Sequence, residues 1–174
     1  PDSVDALHLL GVIECQQGNP GRAADLIAKA VALRPGFADA HSNLSVALKD
    51  LGRLDEAVAA QHQAIALQPN SAEAHNNLGV ALHGLERLAE AAAAFYSAVT
   101  LKPTYGEAYY NLANALRAQG QLDEAVVAYW GAVSVAPDHG VAHNTLGTVL
   151  QEQGQLGQAI AALRQAMVLR PDDA

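Results

Sequence analysis

The sequence predicts an all-α solenoid of five helix-turn-helix units, each 34 residues long. Three observations predict it: a proline grid, columns that repeat in register with the grid, and two amphipathic stripes per unit. Pro1, Pro35, Pro69, Pro103, Pro137 and Pro171 lie 34 residues apart, and only Pro20 is off the grid. The units then run 4–37, 38–71, 72–105, 106–139 and 140–173, forming one domain over 1–174. Their third place is always alanine (Ala6, Ala40, Ala74, Ala108, Ala142) and their seventh always leucine (Leu10, Leu44, Leu78, Leu112, Leu146). The twentieth holds Ala23, Ala57, Ala91, Ala125 and Ala159; the twenty-seventh holds Ala30, Ala64, Ala98, Ala132 and Ala166.

The helices follow from local chemistry. In the first unit Pro20 opens the second helix, where its missing N–H costs nothing. In the second, Ala40, His41, Leu44, Ala47, Leu48 and Leu51 form the i, i+3/i+4 stripe of a first helix. Gly52 ends it, because the chain must turn left-handed there. Asp55 and Glu56 open the second helix at the positive end of its dipole. Its stripe is Ala57, Val58, Gln61, Ala64, Ile65 and Leu67, with Gln61 the polar exception, and Pro69 stops it. In the third unit Glu86 replaces the turn glycine and Gly84 precedes it, each costing about 1 kcal/mol. That turn is an expected soft point. One hairpin buries too little surface alone, so the units must stack.

Composition narrows the function. Half the residues are apolar (51%) but only 5% are aromatic, and alanine lets helix axes approach closely. The net charge of −8 opposes a nucleic-acid backbone or an anionic membrane as partner. One cysteine, Cys15, excludes an internal disulfide and a cysteine-built zinc site. This suits a reducing, cytoplasmic compartment. No apolar run approaches the ~20 residues of a membrane helix. The sequence opens on proline, so an upstream segment is expected.

Tyr109, Leu112, Ala113, Leu116, Ala125, Tyr129, Ala132 and Pro137 carry a pattern that resembles the tetratricopeptide signature. The resemblance covers residues 4–173 and implies a right-handed superhelix whose first helices line a concave, peptide-binding groove. Groove places 2, 5, 6, 9, 12 and 13 then fall on Asp39, Ser42, Asn43, Val46, Lys49 and Asp50 in the second unit. In the third they include Glu73, Asn76 and Asn77; in the fourth Glu107, Tyr110, Asn111 and Asn114; in the fifth Val141, Asn144 and Thr145. The first contributes Asp5, His8 and Cys15. Asn43, Asn77 and Asn111 recur once per unit, and a carboxamide both donates and accepts. Such a row either pairs with the backbone of an extended peptide or bonds neighbouring helices. Asp39, Glu73 and Glu107 form an acidic row suited to basic or Ser/Thr-rich segments.

The Asn-Leu recurrence is similar to the repeat region of O-GlcNAc transferases. That likeness implies, as an alternative, the acceptor-recognising arm of a glycosyltransferase whose catalytic domain lies outside this chain. Val141 and Thr145 depart from that pattern. A carboxylate clamp for chaperone tails needs basic groove residues, which these places lack. A third alternative is self-assembly into homo-oligomers through uncapped end repeats, with Ala159, Leu163, Ala166 and Met167 exposed.

No enzymatic chemistry, cofactor or metal site is expected. His41, His75 and His143 share a column whose members lie about 10 Å apart, too far to share an ion. They read as half-buried ring packing. His139 and His143 span a turn without a supporting carboxylate, and Cys15 near His8 lacks an orienting third group. Phe95 and Tyr129 read as core, with Trp130 exposed beside them on the outer face.

Overall fold

A computed structural model describes residues 3–169. Within them the chain forms ten α-helices: α1 (Val4–Gln16), α2 (Pro20–Leu33), α3 (Ala38–Asp50), α4 (Leu54–Leu67), α5 (Ala72–Gly84), α6 (Leu88–Leu101), α7 (Gly106–Ala118), α8 (Leu122–Val135), α9 (Gly140–Glu152) and α10 (Leu156–Leu169). Each unit thus holds a first helix of 13 residues and a second of 14. Pro1, Pro171 and the end of the fifth unit at 173 lie outside the described residues.

The proline grid works through the residue before it. Second helices end at Leu33, Leu67, Leu101 and Val135, two places ahead of Pro35, Pro69, Pro103 and Pro137. A residue preceding proline is pushed out of the α region, so the helix stops one step early. Gly18, Gly52, Gly120 and Gly154 take φ of 74–78° in the turns between paired helices. Glu86 does the same job at φ 59°. A side chain in that conformation costs about 1 kcal/mol. Glu86→Gly is therefore expected to raise unfolding free energy by up to about 1 kcal/mol, read by urea titration. A variant less stable than the parent would overturn the strain argument.

The chain divides into two compact units, Pro1–Arg87 and Leu88–Ala174. The boundary falls between α5 and α6, the two helices of the third repeat.

In the first unit the alanine columns pack α2 and α4 against first helices: Ala23, Ala30, Ala40, Ala57, Ala64 and Ala74 are buried. Ala6 and Leu10 are exposed although they share these columns. Leu51 and Leu67, expected on the apolar stripes of their helices, are also exposed. Leu51 caps α3 and Leu67 ends α4, where the stripe has rotated off the core. Gln61 is completely buried. Its Nε2 donates to Ser42 Oγ at 3.4 Å, and its Oε1 has no partner.

In the second unit Phe95, Tyr129, Leu146, Val149 and Leu150 fill the core. Gly147 lets α10 approach α9: a Cβ there would stand 2.6 Å from Leu163 Cγ and 3.3 Å from the Ala159 carbonyl. That contact corrects the expected exposed patch. Ala159 and Ala166 are buried and Leu163 is half-buried, because the alanine face of α10 lies on α9. Met167 is exposed, together with Leu156, Ile160 and Val168.

Candidate functional site

The first-helix face of the first unit carries a small cleft of about 130 Å³ between α3, α4 and α5. Asp39, Ser42 and Asn43 of α3 line it, opposite Glu73 of α5 and beside Gln68 and Ser71. Three residues picked out by sequence, Asp39, Asn43 and Glu73, therefore meet here. Both carboxylates sit in the first turn of their helices, at the positive end of the dipole. Gln68 and Ser71 were missed by groove-place counting. Ser71 signals itself as an N-cap, its hydroxyl accepting from the Ala74 amide at 3.2 Å.

Two of the three asparagines, Asn43 and Asn77, are joined to the preceding repeat. Asn43 Nδ2 donates to His8 Nε2 at 2.8 Å, which puts the His8 proton on Nδ1. Asn77 Nδ2 donates to Ser42 Oγ at 3.5 Å. Each amide spends one of its two N–H donors inside the fold and keeps its carbonyl oxygen as an acceptor. Both residues are half-buried. Asn76 is a correction. It is 2% exposed, so its side chain belongs to the packing and is not presented to a ligand.

His8 is further fixed by Phe37, edge-on at 4.6 Å between centroids. Arg34 lies over the same ring at 5.0 Å and holds Asp5 through two bonds of 2.9 and 3.3 Å. That guanidinium lowers the Asp5 pKa from its ordinary value. Cys15 packs half-buried beside Ala23, Ala24 and Ala47. Burial, then the Asp50 charge, raises its pKa, so the thiol stays protonated and a poor nucleophile.

In the second unit Glu107 is exposed on α7, and Tyr110, Asn111 and Asn114 are half-exposed. Tyr110 stands 5.2 Å from His139 and 5.9 Å from Tyr129, ring to ring. Asn114 Oδ1 accepts from Tyr129 O–H at 2.6 Å. Burial, then Tyr110, pushes the Tyr129 pKa up to about 12. Asn144 is exposed on α9. Arg117 bonds Glu152 at 2.9 Å.

The histidine column has a shared task. His41, His75 and His143 each donate Nε2–H to the carbonyl of Pro35, Pro69 or Pro137, at 2.8, 3.0 and 3.1 Å. His139 Nδ1 accepts from the Ala142 amide at 3.1 Å. Both members of the His139–His143 pair are thus occupied. Among the described residues no group of three or more His, Cys, Asp or Glu could hold a metal. Among them, too, no helix is long and apolar enough to cross a membrane.

Family models for the tetratricopeptide repeat match residues 43–106 and 104–171. No curated protein sequence matches the chain. Solved structures do. MamA from Desulfovibrio magneticus RS-1 superposes with a TM-score of 0.87 at 22% identity, over 100% of this chain and 99% of that one. PilF of Pseudomonas aeruginosa gives 0.87 at 22%, over 95% and 76%. YrrB, a TPR protein with an unusual peptide-binding site, gives 0.77 at 21%, over 98% and 88%. At such identities the likeness shows the fold. Helix pairs on a 34-residue period, turn glycines, small-residue columns and two matching models agree: the chain belongs to the tetratricopeptide repeat family.

Proposed function

We propose that this chain is a protein-interaction scaffold that takes an extended, basic or hydroxyl-rich peptide along its first-helix face. The cleft joining Asp39, Asn43 and Glu73 carries the reading. It sets two carboxylates beside an amide acceptor, a combination that suits a peptide N–H flanked by lysine, serine or threonine. Peptide binding by YrrB, a fold relative, supports it. The −8 net charge would steer a basic segment toward the chain.

The test is fluorescence anisotropy with a short labelled peptide rich in Ser, Thr and Lys. Asp39→Asn combined with Glu73→Gln removes both charges and keeps shape. Binding is expected to weaken by roughly tenfold, a loss of about 1.4 kcal/mol, with melting unchanged because both residues are exposed. Equal affinity in parent and variant would defeat the proposal.

A further inference from the structure

A larger cleft lies elsewhere, on the second-helix side of the second unit. It occupies about 590 Å³ between α6 and α8, with α7 as its floor. Ala92, Ala93 and Tyr96 form one wall, Val127 and Ala128 the other, and Leu112 lies beneath. Tyr96 is 66% and Val127 72% exposed, which makes the rim apolar as well as the floor. None of the residues assigned to the first-helix face lines it.

Differences among the repeats show why the cleft stands here. Val127 is the largest residue of a column that otherwise holds Asp25, Ala59, Ala93 and Ala161. Tyr96 occupies a column with Ala28 and His62 before it and Trp130, also exposed, after it. Tyr109, another lining residue, replaces the histidine that bonds a proline carbonyl in the second, third and fifth repeats. Its ring rests against Gly131, where a Cβ would lie 2.6 Å from Cδ1 and 2.9 Å from Cε1. That second place carries Lys29, Gln63, Ser97 and Gln165 in the other repeats. Two departures from the repeat pattern thus fit one another, and together they seat an aromatic ring in the cleft.

Charge selects the occupant. Glu90 lies in the first turn of α6, and Asp123 and Glu124 in that of α8. Neither helix contains lysine or arginine. Asp123 accepts from Gln153 Nε2 at 2.7 Å, and Glu124 lines the cleft itself. Arg87 stands just before α6, so the negative charge at that end of the apolar trough rests on Asp123 and Glu124 of α8. From Ala92 to Thr100 the α6 wall rises about 12 Å, or roughly two helical turns. A second copy of the chain, at −8, is poorly matched to that end. We propose that this cleft docks an amphipathic helix of a partner protein, with two or three apolar anchors on one face and lysine or arginine at one end. Anchors spaced i, i+3/i+4, i+7 fit a groove of this length.

The probe is a labelled helical peptide of roughly four turns with leucine and tryptophan on one face and lysine elsewhere, titrated against the full chain. Saturable binding is expected, weakened by about tenfold or more in Val127→Arg and again in Tyr96→Arg. Both positions are exposed, and circular dichroism melting checks that both variants stay folded. The Asp39→Asn/Glu73→Gln variant is expected to bind this probe like the parent, which separates this cleft from the first-helix face. The proposal is overturned if neither arginine variant weakens binding. It is also overturned if a control peptide with every anchor changed to serine binds equally well, since attraction would then be charge alone. Dimerisation that Val127→Arg abolishes, without peptide binding, would assign the cleft to a second copy instead.

Discussion

Tyr129→Ala is expected to remove roughly 3–5 kcal/mol of stability, the usual cost of deleting a buried aromatic ring. The ring is completely buried between α7 and its own helix, so its loss opens a cavity that alanine-rich neighbours cannot fill. Asn114 would also lose its donor. Tyr129→Phe separates the two effects: it keeps the ring and is expected to cost only about 1 kcal/mol for the hydrogen bond. Urea titrations of both variants measure this, and equal losses would mean that the hydroxyl dominates. Alkaline unfolding supplies a further arm. The folded pKa, at about 12, lies above the ordinary 10.0. The contribution is therefore complete below pH 10 and is lost as pH rises through about 12. In Tyr129→Phe that alkaline loss should shrink.

Gly147→Leu is expected to destabilise by about 3 kcal/mol, the upper range for overpacking. Leu163 Cγ and Cδ2 stand 2.6 and 2.8 Å from the position of an added Cβ, and the Ala159 carbonyl blocks retreat along α10. Gly147→Ala meets the same atoms with a smaller group. It also gains about 1 kcal/mol of helix propensity, so its net loss should be slight. Urea unfolding of the pair measures the spacing of α9 and α10. A Gly147→Leu variant as stable as the parent would show that the two helices part easily.

Periodicity carried most of the fold. Prolines and glycines mark helix ends because they act on their own backbone, and Pro69 ends α4 whatever surrounds it. The alanine columns were legible for the same reason, since each place in a repeat meets the same neighbours. Exceptions arose where neighbours differ. Leu10 is exposed while Leu146 is buried, and Ala159 was expected at a surface that α9 covers. For the site, the first-turn carboxylates Asp39 and Glu73 could be placed because helix phase alone fixes them. The amide bonds could not. Asn43 reaches His8 and Asn77 reaches Ser42, pairings set by residues that change type from repeat to repeat. Burial of Asn76 has the same origin. The cleft between α6 and α8 draws its lining from three helices; the sequence marked Tyr109, Leu112 and Leu116 as signature residues and Trp130 as an exposed aromatic, but not the trough that the helices form together.

The bonds from Asn43 to His8 and from Asn77 to Ser42 each join residues 35 apart in sequence, as does the Arg117–Glu152 pair. A chain joined this way never has to close a loop much longer than one repeat. Loop-closure entropy grows with the logarithm of loop length, so every such contact incurs nearly the same penalty wherever it lies. Low contact order of this kind favours fast folding. Folding can begin in either unit and advance by one neighbour at a time, so the chain could gain or lose a repeat without slowing the rest.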